Sequence, residues 1–252
     1  MSKKILPYSR QSINSIDILK VNEVLKSDYL TTGPNVRLFE KAINTYCNSK
    51  FSIAATSATA ALHIACMSLN LKKDDIVWTS AISFVASANC ALYCEAKVDF
   101  IDIDLDTFNL SISHLEKKLK LAKKINKLPK ILIPVHLGGQ SCDMYKIYKL
   151  SKKYRFKIIE DASHAIGGTF NKSKVGSCKY SDITVFSFHP VKIITSGEGG
   201  VATTNSKLLA KKMKMYREHG IERDENLFFG KKHGPWHYQQ KLLGFNYRMS
   251  DI

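Results

Sequence analysis

Phe156-Lys157-Ile158-Ile159-Glu160-Asp161-Ala162-Ser163-His164-Ala165 is a short apolar run that ends on two acids. Downstream, Ile183-Thr184-Val185-Phe186-Ser187-Phe188-His189-Pro190-Val191-Lys192 is a second apolar run that leads to a lysine. Runs of this length, bounded by polar and turn residues, read as buried strands. Working outward from them, strand candidates fall at 51–55, 76–79, 98–102, 131–135, 157–160, 183–187 and 200–204. Segments of helical period separate them at 57–70, 84–94, 113–124, 143–154 and 205–218, and a further helix is read near 15–27. Alternation of this kind implies crossover units and an α/β fold: a mostly parallel seven-stranded sheet, covered on both faces. Ser113 with Glu116 predicts a capping box, and Asp143 a cap for the helix after it.

Ligands on such sheets bind beyond the carboxyl ends of the strands. The residues capable of chemistry fall there. Asp161 ends one strand and Lys192 follows another. A buried acid and a lysine are the two protein parts a pyridoxal 5′-phosphate (PLP) site requires: the amine forms a Schiff base with the aldehyde, and the carboxylate pairs with the pyridinium nitrogen. Lys192 is flanked by Phe186, Phe188, Pro190, Val191, Ile193 and Ile194. Desolvation of this sort favours the free amine that such chemistry needs. His164 is placed to hydrogen-bond near the phenolic oxygen of such a ring, and reads equally as a structural histidine. Thr56-Ser57-Ala58-Thr59 joins a strand to a helix, where free amides and the positive dipole end make a phosphate cup; a plain Ser/Thr cap reads the same locally. Ser187 is a further phosphate candidate. Phe84, at another strand end, can stack on a flat ring or simply pack.

Composition bounds the alternatives. Hydrophobic residues make up 44% and charged residues 24% of the 252, ordinary for a globular chain. The net charge of +16, from 38 Lys+Arg against 22 Asp+Glu, would suit a polyanion. The lysines are spread along solvated helix faces, however, and no aromatic-basic stripe of an RNA-binding module occurs, so nucleic acid is not an expected partner. The Ala-rich stretch 53–67 is too interrupted by Ser57, Thr59 and His63 for a membrane span. The six cysteines contain no C-x-x-C pair. Cys90 and Cys94 share a helix face but lack partner ligands, so no metal site is expected. Buried thiols and the lack of a basic-then-apolar leader lead to the expectation of a cytoplasmic protein.

Residues 1–12 are read as an N-terminal arm and 13–218 as the large domain. Residues 219–252 are read as a polar excursion followed by Asn246-Tyr247-Arg248-Met249-Ser250-Asp251-Ile252, the opening of a helix capped by Ser250 or Asp251.

Several segments, taken in order, resemble the DegT/DnrJ/EryC1/StrS family, the PLP-dependent sugar aminotransferases of aspartate-aminotransferase-like fold (fold type I). They are Leu30-Thr31-Thr32-Gly33-Pro34, Thr56-Ser57-Ala58-Thr59-Ala60-Ala61-Leu62, Val135-His136-Leu137-Gly138-Gly139-Gln140, Glu160 to Ala165, Phe186 to Lys192 and Glu198-Gly199-Gly200. The resemblance implies that Lys192 is the Schiff-base lysine and proton shuttle, that Asp161 holds the pyridinium, and that His164 and Phe84 lie against the ring. It further implies that Ser57, Ala58 and Ser187 hold the phosphate, and that Asn246 reaches the phosphate site of a neighbouring subunit. Homodimers with shared active sites, and a small C-terminal domain absent from this chain, are implied too. Gly234-Pro235-Trp236-His237-Tyr238 and Leu243 to Asp251 resemble the branch that acts in pseudaminic acid biosynthesis. Its substrates would be L-glutamate, released as 2-oxoglutarate, and a UDP-linked 4-keto-6-deoxy-N-acetyl sugar aminated at C4. Other nucleotide-sugar 3- or 4-aminotransferases and a truncated non-catalytic descendant are the competing readings. A sugar dehydratase of the same family would carry histidine where Lys192 stands.

Overall fold

The computed structural model describes residues 7–252; part of the expected N-terminal arm, residues 1–6, lies outside them. The first half of the chain forms α1 (Ser15–Leu25), α2 (Pro34–Cys47), β1 (Phe51–Ala55), α3 (Ala58–Ser68), β2 (Ile76–Ser80), α4 (Ala86–Leu92), β3 (Lys97–Ile101) and α5 (Ile112–Lys124). The second half forms β4 (Ile131–Ile133), α6 (Met144–Tyr154), β5 (Lys157–Asp161), the two-residue strands β6 (Thr169–Phe170) and β7 (Ser173–Lys174), β8 (Ile183–Ser187), β9 (Gly200–Thr204) and α7 (Lys207–Arg217). A short ribbon, β10 (Ile221–Glu222) with β11 (Gln239–Gln240), brackets the polar excursion.

Seven strands make one sheet in the order β1-β9-β8-β5-β4-β2-β3. The run from β8 to β3 is parallel; β9 lies antiparallel to both of its neighbours, β1 and β8. All seven expected strands are present, each within two residues of its expected ends. The pleat explains why central strands read as unbroken apolar runs. Val77, Ile131, Ile133 and Ile159 pack into a core with α3, whereas Trp78, Leu132 and Ile158 point the other way, into a core with α5 and α6. A third cluster sets Ile43 and Cys47 of α2 against Phe186, Phe188 and Val201. Alanine and other compact residues fill α3, which is buried continuously from Ala60 to Cys66. Small side chains let a helix lie close to the sheet on several sides at once.

Two local readings are corrected. The α5 cap is Ser111, whose hydroxyl accepts from the His114 amide, and Ser113 falls inside the first turn with its Oγ 3.0 Å from that of Ser111, so no Ser113–Glu116 box forms. Helix α2 was not anticipated; it opens with Pro34 at its first turn, where a missing N–H costs nothing. Asp251 caps α2: its carboxylate accepts from the amides of Gly33 (2.7 Å), Asn35 (2.8 Å) and Val36 (3.4 Å). The Asp143 cap is present, accepting from Lys146 N. No helix among the described residues is long and apolar enough to cross a membrane, and no group of three or more potential metal ligands occurs among them.

Candidate active site

The carboxyl ends of β1, β2, β5 and β8 surround a cavity of about 240 Å³ whose lining includes Ser57, Ala58, Phe84, Asp161, His164, Ser187 and Lys192. Seven of the eight expected site residues therefore meet in one place. Asn246 does not line it. It is exposed on a segment that runs past the start of α3, where Tyr247 O accepts from Thr56 N at 2.9 Å.

Each wall follows from local structure. Ser57 caps α3 by accepting from Ala60 N at 3.1 Å, and the amides of Ala58 and Thr59 have no acceptor among the described residues. Gly200 closes the back of this turn. A Cβ there would sit 2.3 Å from Ala58 N, so only glycine lets β9 pass. Asp161 ends β5 and is buried. Its Oδ2 accepts from Ser87 Oγ at 2.6 Å, and its Oδ1 accepts from Ser163 N at 3.1 Å and Ser163 Oγ at 2.6 Å. None of these donors is cationic, and a buried carboxylate without a cationic partner is costly unless one is supplied. Glu160 points to the other face. Its Oε2 pairs with His136 Nε2 at 2.8 Å, and Ser181 and Thr184 donate to Oε1. Burial works against its charge, but these bonds outweigh that and hold its pKa below the ordinary carboxylate value. The Cys142 amide donates to His136 Nδ1 at 3.3 Å, which holds the ring with Nε2 toward Glu160. Of two neighbouring acids, one is thus satisfied internally and the other faces the cavity.

Lys192 and His164 approach across the mouth, Nζ to Nε2 2.7 Å. Burial lowers the pKa of Lys192, with the Asp161 charge opposing. Burial also lowers that of His164, and Lys192 adds to the effect. Both shifts run toward the uncharged forms. Phe84, 69% exposed, stands at the opening with its ring unburied. The donor set fits PLP: unused amides at a helix start suit a phosphate, an uncompensated buried carboxylate suits a pyridinium, and a depressed lysine suits an aldehyde. Ser87, Ser163 and His136 had been given no role in the sequence reading. Serines inside a small-residue helix or beside a strand end carry no local signal of what they face.

Residues 11–252 match the DegT/DnrJ/EryC1/StrS aminotransferase family, whose members use PLP. The chain is 40% identical over 248 residues to the UDP-4-amino-4,6-dideoxy-N-acetyl-beta-L-altrosamine transaminase of Campylobacter jejuni subsp. jejuni serotype O:23/36, covering 98% of this chain and 62% of the relative. It superposes with a TM-score of 0.85 on PseC of Helicobacter pylori, an aminotransferase involved in the biosynthesis of pseudoaminic acid, at 32% identity over 98% of this chain and 62% of that one. The sugar aminotransferase Spr1654 of Streptococcus pneumoniae, described as putative and solved in its PLP form, superposes with a TM-score of 0.85 at 27% identity, covering 98% and 63%. The chain thus spans about 62% of the length of the curated relatives it matches. Motif order, sheet topology and these likenesses agree, and the chain belongs to the DegT/DnrJ/EryC1/StrS aminotransferase family.

Proposed function

We propose that this chain is the cofactor-binding portion of a nucleotide-sugar aminotransferase that moves an amino group from L-glutamate to C4 of a UDP-linked 4-keto-6-deoxy-N-acetyl hexose, a step of pseudaminic acid biosynthesis. The observation that carries the reading is the convergence of Lys192 and Asp161 on one cavity. The narrower substrate rests on the 40% identity to the Campylobacter transaminase.

When bound, PLP supplies an aldehyde with which amines condense and a ring that draws electrons from the adjacent C–H bond. The remaining work belongs to the protein. Asp161 presents its carboxylate to the ring nitrogen. The α3 amides, Ser57 and Ser187 hold the phosphate, and Phe84 covers one face of the ring. Lys192 would hold the cofactor at rest and, once freed by glutamate, its amine would be the base that takes the substrate's Cα proton and returns it on the far side of the C–N linkage. His164 orients that amine through the 2.7 Å contact. The sugar half-reaction reverses these steps, so ping-pong kinetics are expected. We place the protein in the cytoplasm, as a homodimer in which Asn246 serves the partner's phosphate site. Six free thiols, five of them buried, suit a reducing compartment.

The test is Lys192→Ala in the PLP-loaded protein. Visible absorbance that borohydride alters is expected to vanish, and turnover to fall by roughly a thousand-fold or more. Retained turnover with unaltered absorbance defeats the assignment. Product analysis with UDP- and dTDP-linked keto sugars decides the substrate.

A further inference from the structure

We infer that Ser87 is a positioning residue of this site: its hydroxyl fixes the Asp161 carboxylate and, through the same bond, anchors the short helix that presents Phe84. The inference rests on the reading above that Asp161 faces the cofactor nitrogen.

An ionised carboxylate has about four lone-pair directions. In Asp161 three are taken, by Ser87 Oγ, Ser163 N and Ser163 Oγ. One remains, and Asp161 lines the cavity. Torsion about the last bond of an aspartate is broad, so an unbraced carboxylate samples many orientations. Ser163 lies two residues along and holds Oδ1 from its own strand end. Ser87 comes from a different element, α4, and holds Oδ2 from across the sheet end. Only the two together fix the carboxylate plane against both neighbours. Ser87 has no other assignment: it is fully buried, and its hydroxyl donates at 2.6 Å to an acid that has no cationic partner among the described residues.

The bond has a second consequence for α4. This seven-residue helix follows Val85, which gives it no side-chain cap. Its first turn is closed by Ser87 N donating to Phe84 O at 3.1 Å. A helix this short has little intrinsic stability. The Ser87–Asp161 bond therefore ties the start of α4, and with it the exposed Phe84 ring, to the end of β5. Alongside the packing of Ala86, Cys90 and Ala91 in the core, that hydroxyl is a direct tether between the acid that meets the ring nitrogen and the segment carrying the aromatic that covers the ring face.

The test compares Ser87→Ala and Ser87→Thr with the parent protein, all loaded with PLP. The readouts are PLP dissociation constant, the pH titration of the bound cofactor's visible absorbance, and its visible circular dichroism. Loss of a hydrogen bond to a charged group is worth about ten-fold in an equilibrium constant. Ser87→Ala is expected to weaken PLP retention by about that factor, move the titration midpoint and reduce the visible dichroism, while Ser87→Thr, which keeps the hydroxyl, stays nearer the parent. A merely structural serine would lower the melting temperature and leave titration and dichroism of the bound cofactor unchanged; that result overturns the inference. If the alanine variant does not fold, Ser87→Cys, close in size but a weak donor, carries the same comparison. A parent protein with no visible cofactor band would instead overturn the cofactor reading on which Ser87 depends.

Discussion

Between Lys192 and His164 there is a contact of 2.7 Å, too short for both groups to carry their full complement of protons without repulsion. Burial pulls the pKa of Lys192 below the ordinary lysine value of 10.5, and Asp161, which attracts the ammonium form, opposes the fall. The sign follows directly. Below its pKa the lysine is an ammonium and cannot attack an aldehyde, so the rate at which the apo protein takes up PLP should rise with pH, with a midpoint under 10.5. Asp161→Asn removes the attraction for the ammonium and should move that midpoint lower still. Stopped-flow absorbance from pH 6 to 11 reads both, and a midpoint that rises in the Asp161→Asn variant contradicts the assigned electrostatics. Lys192 and Asp161 were legible in the sequence because apolar residues flank the lysine and because the acid ends an apolar strand. Ser87 was not: its partner lies 74 positions away, and no local pattern marks a serine that faces an acid.

Caps and short contacts between distant segments decide how the helices sit. Asp251 closes the first turn of α2 with three amide bonds, and the dipole end favours its negative charge. Asp251→Ala should cost about 1–2 kcal/mol, read as a lower midpoint in urea unfolding with an unchanged slope. An unchanged midpoint would mean that water replaces the carboxylate without penalty. Element type was legible wherever hydrophobic period was strong, as in the seven strands and in α5, α6 and α7. Helix α2 carries a period of the same kind, in Val36, Phe39, Ile43 and Cys47; what no local pattern marks there is its cap, which comes from the far end of the chain. The α5 start shows the same limit on a smaller scale. Ser111 and Ser113 are both competent caps, and the bridge of Ile103 with Leu110 just upstream accompanies the choice of the first.

The molecule as a whole holds its chemistry at one sheet end while leaving several large apolar side chains in water. Ile16, Ile18, Leu19 and Leu25 of α1 are all more than half exposed, as are Val85 and Phe84 at the site. Such surface suits burial against another copy. If Asn246 serves the partner's site, mixing Asn246→Ala with Lys192→Ala chains has a definite outcome. In a mixed dimer one site then carries both defects and the other carries neither, so activity should reappear on mixing two inactive proteins. If Asn246 acts within its own chain, every site keeps one defect and no activity returns. The strand order could not be read from the sequence, because pairing partners are chosen by packing rather than by any property of the segment itself.

Strand β9 lies between β1 and β8, and Phe51 pairs with Thr204. A nascent polypeptide leaving the ribosome has therefore made Ser57 long before it has made the strand against which β1 must dock. Joining segments this far apart in the chain is slow, since the loop between them must be ordered first. The lysine at 192 is translated just ahead of that late strand, so the phosphate cup and the amine become competent together. Unfinished chains should be blind to vitamin B6, and loading with cofactor should begin only when β9 has threaded into its slot.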